Sequence, residues 1–170
     1  ERSVAGVGVV VGGLYGVGWR GGLQPWSSVE RCGAASYGLL AVAAMRSKRK
    51  GARVGVVGGV LYAVGGTVAS DAVSSVERYD AAADRWVAVA AMGSKRSYAG
   101  EGMGGGVVKA VGGDGGSVAW SSGERYEAEA ERWVAEAAMG SNRHAARVRA
   151  CARLGDATYG AGGERRLGDE

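Results

Sequence analysis

The chain has 170 residues and a formal net charge of +4, a positive charge too small to imply a nucleic-acid partner by itself. Glycine accounts for 33 residues and phenylalanine is absent, so any core must be built from valine, leucine, alanine, tyrosine and tryptophan. The two cysteines, Cys32 and Cys151, lack metal-site spacing, and His144 is the only histidine, which leaves neither a metal cluster nor a catalytic triad. We therefore expect a protein that is not an enzyme and that has no cofactor or metal.

The first uncharged stretch, residues 4–19, is 16 residues long and rich in glycine. A membrane helix needs about 20 residues, so this stretch is too short to span a bilayer. It aligns with residues 51–66 further along the chain, and we expect both stretches to form strand pairs rather than membrane segments.

A block of landmark residues occurs three times at intervals of 47 residues. The middle copy reads Ser-Ser-Val-Glu-Arg-Tyr-Asp over residues 74–80 and is followed by Trp86 and Met92, and related copies start at Ser27 and Ser121. Equal spacing predicts a repeat protein. The predicted domain spans residues 2–163, with units 2–48, 49–95, 96–142 and, in part, 143–163, and residues 164–170 are expected to be a disordered tail.

The middle unit shows the expected strands most clearly. Valine-rich runs separated by turn residues predict four strands, at residues 54–57, 60–64, 73–79 and 86–90. Gly58-Gly59 suits a tight hairpin because glycine tolerates positive φ. Residues 67–72 are predicted to be a polar loop, and Asp80 is expected to cap the turn that ends at residue 84.

The order of these landmarks closely resembles the kelch repeat: an apolar run ending in paired glycines, a variable loop, the Ser-Ser-x-Glu-Arg-Tyr run, then Trp and Met. Kelch units of about 50 residues form the blades of a β-propeller. The resemblance implies an all-β fold of kelch-type blades, with three full four-stranded repeats and a partial fourth. Propellers close with about 4 to 8 blades, so the ring is expected to be incomplete, and because the sequence starts at Glu1 we expect a fragment of a longer protein.

Eight residues are predicted to be structural landmarks of the repeat. Aromatic side chains should pack between adjacent blades, and the paired glycines should end the second strands. The aromatic residues are Tyr79, Tyr126, Trp86 and Trp133, and the glycines are Gly65, Gly66, Gly112 and Gly113. The repeats differ at such positions: Cys32 and Leu39 replace Tyr79 and Trp86 in the first unit, and Lys109 replaces Tyr62 in the third.

Kelch propellers usually bind partner proteins or peptides through loops on one face, and the resemblance implies two loop families here. One family follows the glycine pairs, and its candidate partner-binding residues are Arg20, Thr67, Asp71, Asp114 and Ser117. The other connects successive blades, and its candidates are Arg49, Arg96 and Arg143. These repeated arginines have two interpretations: they form a ring that grips an acidic peptide, or they pair with Glu30, Glu77 and Glu124 and hold the blades together.

Residues 46–53 are the densest basic segment. One interpretation is a nuclear-localisation signal or a patch for an acidic partner, and the other is an exposed connection between blades.

Residues 74–80 look most like the kelch-like substrate adaptors of cullin–RING ubiquitin ligases, which implies protein–protein recognition and a ligase contact through a further domain. An actin-associated kelch scaffold and the non-catalytic blades of a propeller enzyme are the alternatives. The expected partner is a protein or an acidic peptide, with no nucleic acid or membrane, and exposed blade faces also suggest self-association that completes a propeller. The expected location is the cytoplasm, with the nucleus as an alternative.

Overall fold

A computed structural model describes residues 3–10, 13–20, 27–33, 38–104, 107–140, 144–153 and 156–164. All the regular secondary structure in these ranges is β-strand. The strands fall into three four-stranded antiparallel sheets, called blades 1 to 3, and two smaller hairpins.

Each of the first three repeats supplies one blade. Blade 1 contains β1 (Ser3–Val10), β2 (Gly13–Arg20), β3 (Val29–Gly33) and β4 (Leu39–Val42). Blade 2 contains β5 (Arg53–Val57), β6 (Val60–Val64), β9 (Val76–Asp80) and β10 (Arg85–Val89), with a small hairpin of β7 (Thr67–Val68) and β8 (Asp71–Ala72) between its second and third strands. Blade 3 contains β11 (Gly100–Gly104), β12 (Val107–Val111), β13 (Gly123–Glu127) and β14 (Arg132–Glu136).

The fourth repeat contributes one hairpin in the described residues, β15 (His144–Arg153) and β16 (Asp156–Glu164).

Within each blade the strands pair in sequence order, so each blade is an antiparallel meander. The predicted all-β fold of four-stranded kelch-type blades is therefore confirmed.

The cores lie between blades because each sheet has an apolar face toward its neighbour. One buried cluster joins blades 1 and 2 and contains Tyr15, Leu61, Tyr79 and Trp86. The other joins blades 2 and 3 and contains Tyr62, Met92 and Tyr126. The ring centroids of Tyr15 and Tyr79 are 5.6 Å apart, and those of Tyr62 and Tyr126 are also 5.6 Å apart. The 47-residue repeat thus reproduces the same aromatic contact at both junctions.

The structure corrects two details of the predicted middle unit. The third strand begins at Val76 rather than at Val73, because the Val73 amide donates to the Gly66 carbonyl and its carbonyl accepts from the Arg96 amide, outside the sheet. Residues 67–72 are not a simple loop: they form the β7–β8 hairpin, whose turn residues Ala69 and Ser70 both have positive φ. At the C-terminal side, β16 ends at Glu164, one residue beyond the predicted unit, and residues 165–170 lie outside the described residues.

Candidate partner-binding face

The two loop families lie on one side of the blades, which follows from the meander. Successive antiparallel strands alternate in direction, so the link from the second to the third strand and the link to the next blade leave at the same end. We call this side the loop face and define it by residues 45–52, 65–75, 92–99 and 112–122. Backbone bridges join its parts, since Lys50 pairs with Thr67 and Ser97 pairs with Asp114.

Arg49 anchors the connection between blades 1 and 2. Its side chain is 2% exposed, its Nη2 donates to Glu77 Oε1 at 2.8 Å, and its Nη1 donates to the carbonyls of Gly65 at 2.8 Å and Ser75 at 3.0 Å. The carboxylate of Glu77 also accepts from the backbone amides of Arg46 at 2.7 Å and Ser47 at 3.3 Å. One buried ion pair therefore fixes both the connection and the end of blade 2.

Arg96 repeats this arrangement at the next junction. Its Nη2 lies 3.2 Å from Glu124 Oε1, and its Nη1 donates to the carbonyls of Gly112 at 2.8 Å and Ser122 at 2.9 Å. Burial lowers the pKa of Arg96, while the Glu124 carboxylate acts in the opposite direction. A guanidinium still stays charged in proteins, so this is an intact buried ion pair.

These contacts correct the prediction that Arg49 and Arg96 bind a partner. Both guanidinium groups are buried and bonded to acceptors of their own blade, so neither is available to an external carboxylate. The geometry is that of the second interpretation, in which the repeated arginines pair with the repeated glutamates. Arg143 lies outside the described residues.

The glycine pairs bring backbone segments into close contact. Gly65 and Gly66 have φ of +60° and +96°, and the Gly66 amide donates to the Arg96 carbonyl at 2.8 Å. A Cβ on Gly65 would collide with that same carbonyl oxygen. Gly112 and Gly113 repeat the positive φ values, at +65° and +89°. Glycine is required here because the turn needs left-handed backbone and the next connection lies against it.

The predicted aromatic residues lie at the blade junctions. Trp86 Nε1 donates to the Ala43 carbonyl of the preceding blade at 3.0 Å, and Trp133 Nε1 donates to the Ala90 carbonyl at 3.0 Å. The ring centroids of Tyr79 and Trp86 are 5.3 Å apart, and those of Tyr126 and Trp133 are also 5.3 Å apart.

Tyr79 also takes part in a polar contact across the junction between blades 1 and 2. Its hydroxyl donates to Asp84 Oδ1 at 2.6 Å, and the same oxygen accepts from the Ala43 amide at 2.9 Å. Burial and this hydrogen bond raise the pKa of Tyr79.

The first loop family presents Thr67 and Asp71 on the loop face. The backbone of Thr67 is bonded to Lys50 in both directions, at 2.7 and 3.0 Å, which fixes the β7–β8 hairpin to the connection. Asp71 is exposed at the second strand of that hairpin. Of the other candidate in this family, Arg20, the structure describes only the backbone, as the last residue of β2.

Blade 3 presents the equivalent loop with Asp114 and Ser117. Asp114 Oδ1 accepts from the Gly116 amide at 2.7 Å, so the carboxylate shapes the turn, whereas Ser117 is exposed. Val118, which is 51% exposed, and Trp120, whose Nε1 donates to the Lys95 carbonyl, were not among the predicted binding residues. Large apolar residues in a loop otherwise made of glycine, serine and aspartate were the available signal.

The charge on the loop face comes from residues that flank the buried arginines. Arg46, Lys48 and Lys50 are exposed in the first connection, and Lys95 is exposed in the second. Asp71 is the exposed carboxylate among them, so the described loop face is predominantly basic. Trp120 donates a hydrogen bond to the carbonyl of Lys95, and its ring centroid lies 5.5 Å from the guanidinium carbon of the buried Arg96.

The described residues contain no cluster of three or more histidine, cysteine, aspartate or glutamate side chains that could hold a metal ion. Within the part of the chain that the structure describes, no helix is long and apolar enough to cross a bilayer.

Comparison with known proteins identifies the fold of these blades and a kelch motif in one of them. Among solved structures, the one titled "Structure of YjhT", a kelch-repeat propeller, is similar with a TM-score of 0.72 and 12% sequence identity, over 84% of this chain and 54% of that one. The chain thus spans about half the length of that propeller. A family model described as the Kelch motif matches residues 48–93, the whole of blade 2 with its incoming connection. No curated protein matches the sequence significantly. The kelch motif at residues 48–93 and the similar propeller structure support the resemblance to kelch repeats and confirm the β-propeller type of blade.

Proposed function

We propose that this chain is a protein-interaction module that binds an acidic peptide segment on its loop face and carries out no reaction of its own. Kelch repeats generally mediate protein–protein interaction. The observation that supports an acidic ligand is the group of exposed cations Arg46, Lys48, Lys50 and Lys95 on the loop face, which also carries the half-buried Trp120.

The loop face has the composition of a recognition surface. Interfaces are enriched in tryptophan and arginine, and a basic surface steers an acidic partner toward it. Trp120 and Val118 supply the apolar contact, and the flanking lysines supply the charge.

The backbone of the loop face is held rigidly, which favours binding. The Glu77 and Glu124 carboxylates fix the two connections through backbone amides at 2.6 to 3.3 Å. A surface that is ordered before binding loses less conformational entropy when the ligand arrives. The buried arginines therefore support recognition indirectly, by positioning the exposed residues beside them.

The experiment is a selection of random 12-residue displayed peptides on the immobilised chain, followed by affinity measurement on the selected peptides. We expect selected sequences rich in aspartate and glutamate, and at least tenfold weaker binding to a Lys48→Glu, Lys50→Glu double variant. Arg85→Glu is the matched control, because Arg85 is exposed beside the turn at the opposite end of blade 2 and its reversal should leave the affinity unchanged. Selected peptides without acidic enrichment, or equal losses in both variants, would contradict the proposal.

A finer proposal is that the bound protein is a substrate that the parent protein delivers to a cullin–RING ubiquitin ligase in the cytoplasm. Its support is the resemblance of residues 74–80 to the kelch-like adaptors. Immunoprecipitation of the endogenous protein should recover a cullin. Recovery of actin filaments without a cullin would instead favour the cytoskeletal alternative.

A further inference from the structure

Tyr98 has a backbone conformation that is unusual for its residue type. Its φ is +51°, in the left-handed region that glycine adopts readily and bulky residues adopt rarely. Among the described residues, the other non-glycine residues with positive φ all lie in hairpin turns: Ala69, Ser70, Asp84 and Glu131. Tyr98 instead lies in the connection between blades 2 and 3, on the loop face, so a hairpin turn does not account for its strain.

The preceding connection shows that the fold does not need a side chain at this position. Gly51 is the equivalent residue 47 positions earlier, and its φ is +64°. One residue before it, Lys50 forms a backbone bridge to Thr67. Ser97 forms the equivalent bridge to Asp114 in the next connection. Since glycine supports the same connection, the tyrosine adds a side chain and introduces backbone strain, and strain of this kind concentrates at functional sites.

The ring of Tyr98 lies against Gly51, which brings the two connections together. A Cβ on Gly51 would come within 2.8 Å of the Cε1 and Cζ atoms of Tyr98, and the Tyr98 amide donates to the Gly51 carbonyl at 2.9 Å. The ring therefore lies beside the connection that carries the exposed Lys48 and Lys50, and it follows the exposed Lys95 by three residues. Tyr98 is partly exposed, so the loop face presents an aromatic ring between two cationic segments.

An aromatic side chain in this position can bind an apolar group. Tyrosine supplies a large, rigid contact surface and loses little conformational freedom on binding, and it is enriched among the residues that dominate binding energies. The lysines on either side would meet acidic residues of the same ligand. Together these groups fit a segment in which one apolar residue is flanked by acidic residues.

We propose that Tyr98 is the aromatic anchor of the loop face and selects peptides in which an apolar residue stands between acidic residues. This role rests on the proposed function, because it defines the chemistry of the peptide that the loop face binds. In the complex, the apolar residue of the peptide packs on the exposed part of the Tyr98 ring. Its acidic neighbours pair with Lys50 on one side and Lys95 on the other.

The test measures how Tyr98→Gly changes the affinity for the tightest-binding peptide obtained by selection of random displayed peptides on the immobilised chain. We expect at least tenfold weaker binding by isothermal titration calorimetry. Replacing the apolar residue of the peptide by alanine should weaken binding to the unmodified chain at least tenfold and binding to Tyr98→Gly much less, because the two changes remove the same contact. The thermal midpoint should stay within about 4 °C, since the relief of strain offsets the lost ring contact with Gly51.

Glu131→Gly is the matched control. Glu131 also has a left-handed φ, +47°, but it lies in the turn between β13 and β14, at the end of blade 3 opposite the loop face, so the affinity should be unchanged. Tyr98→Phe keeps the ring and should bind the peptide at least tenfold more tightly than Tyr98→Gly. If Tyr98→Gly is insoluble, Tyr98→Asn replaces it, because asparagine tolerates left-handed backbone.

Undiminished binding of an acidic peptide to Tyr98→Gly would overturn this role and leave the proposed function intact, since the Tyr98 variants retain every lysine of the loop face. A lower thermal midpoint with unchanged affinity would also overturn it, because the ring would then serve the fold alone. A selection that yields no acidic peptides would contradict the proposed function and the role of Tyr98 together.

Discussion

Glu77 of blade 2 and Glu30 of blade 1 occupy equivalent positions on the third strands of consecutive repeats, yet their surroundings differ. Glu77 is buried and bonded to a guanidinium and two backbone amides, whereas Glu30 has a buried oxygen without a donor among the described residues. The amide donors belong to the incoming connection and not to the blade that carries the glutamate. The third-strand glutamate of a blade therefore depends on donors from the preceding segment of the chain. Whether the glutamate stabilises its blade is decided by the presence of those donors.

The largest difference should appear when each glutamate is removed. Glu77→Ala leaves Arg49 buried without its counter-charge and should lower the free energy of unfolding by about 3 to 5 kcal/mol. Glu30→Ala removes an oxygen that has no donor and should change that free energy by no more than about 1 kcal/mol. Urea unfolding followed by tryptophan fluorescence measures both, and Glu77→Gln replaces Glu77→Ala if the latter is insoluble. Equal losses at the two sites would contradict the comparison.

Leu61 and Leu14 occupy equivalent positions in blades 2 and 1, and they test the same comparison for an apolar side chain. Leu61 is 1% exposed, whereas the equivalent Leu14 is 45% exposed. Leu61→Ala opens a cavity between blades and should cost about 2 to 4 kcal/mol. Leu14→Ala should cost less than about 1 kcal/mol, because nearly half of this residue is already exposed to water. If Leu14→Ala were as costly as Leu61→Ala in urea unfolding, Leu14 would have to be covered by another surface in solution.

Gly65 and Gly58 extend the comparison between packed and exposed positions to the backbone. Gly65 and Gly58 both have positive φ, at +60° and +56°, but only Gly65 lies against the next connection. Gly65→Ala should cost about 2 to 4 kcal/mol, from strained backbone and displacement of the Arg96 carbonyl. Gly58→Ala carries the backbone strain alone, about 1 kcal/mol, and serves as the control. Equal thermal midpoints for the two variants would show that the close approach at Gly65 does not matter.

The smallest expected effect concerns the pH dependence of the junction between blades 1 and 2. The hydrogen bond from the Tyr79 hydroxyl, followed by that from the Ala43 amide, holds the pKa of Asp84 below its ordinary value of 3.8. Because the pKa of Asp84 is lower in the folded state, its contribution is present above pH 3.8 and is lost as pH falls from there through the folded pKa.

Asp84→Asn should therefore reduce the loss of stability between pH 5 and pH 2, compared as urea midpoints, because this window extends below pH 3.8. Asp71→Asn, at an exposed site on the loop face, is the control for the loss of one carboxylate. An unchanged pH dependence in Asp84→Asn would show that the contact with Tyr79 contributes nothing across the junction.

Much of the fold could be predicted because the signals are local. Gly58-Gly59 between two valine runs identifies a hairpin, and the observed β6 (Val60–Val64) matches the predicted strand. The third strand was predicted to start too early because Val73 fits a strand by composition but bonds to Gly66 and Arg96 instead. The β7–β8 hairpin was missed because Ala69 and Ser70 are not typical residues of a positive-φ turn, and its strands are held by a pairing with Lys50.

The candidate site was less predictable because residue type does not decide exposure. Arg49 and Lys50 are adjacent and both basic, yet one is buried in an ion pair and the other is exposed. The sequence left both interpretations of the repeated arginines open, and only the approach of Glu77 and the Gly65 carbonyl distinguishes them. Trp120 gained its importance in the same way, from its position over Arg96.

The sequence by itself determined the repeat, its 47-residue period, the four-stranded blades and their resemblance to kelch repeats, because strand alternation and turn chemistry are encoded within a few consecutive residues. The tertiary structure decided which arginines are buried, which lysines form the loop face, and which apolar residues of blade 1 are exposed. Those properties depend on surfaces that meet 16 to 43 residues apart in sequence, where burial and charge compensation are set by the packing of one blade on another.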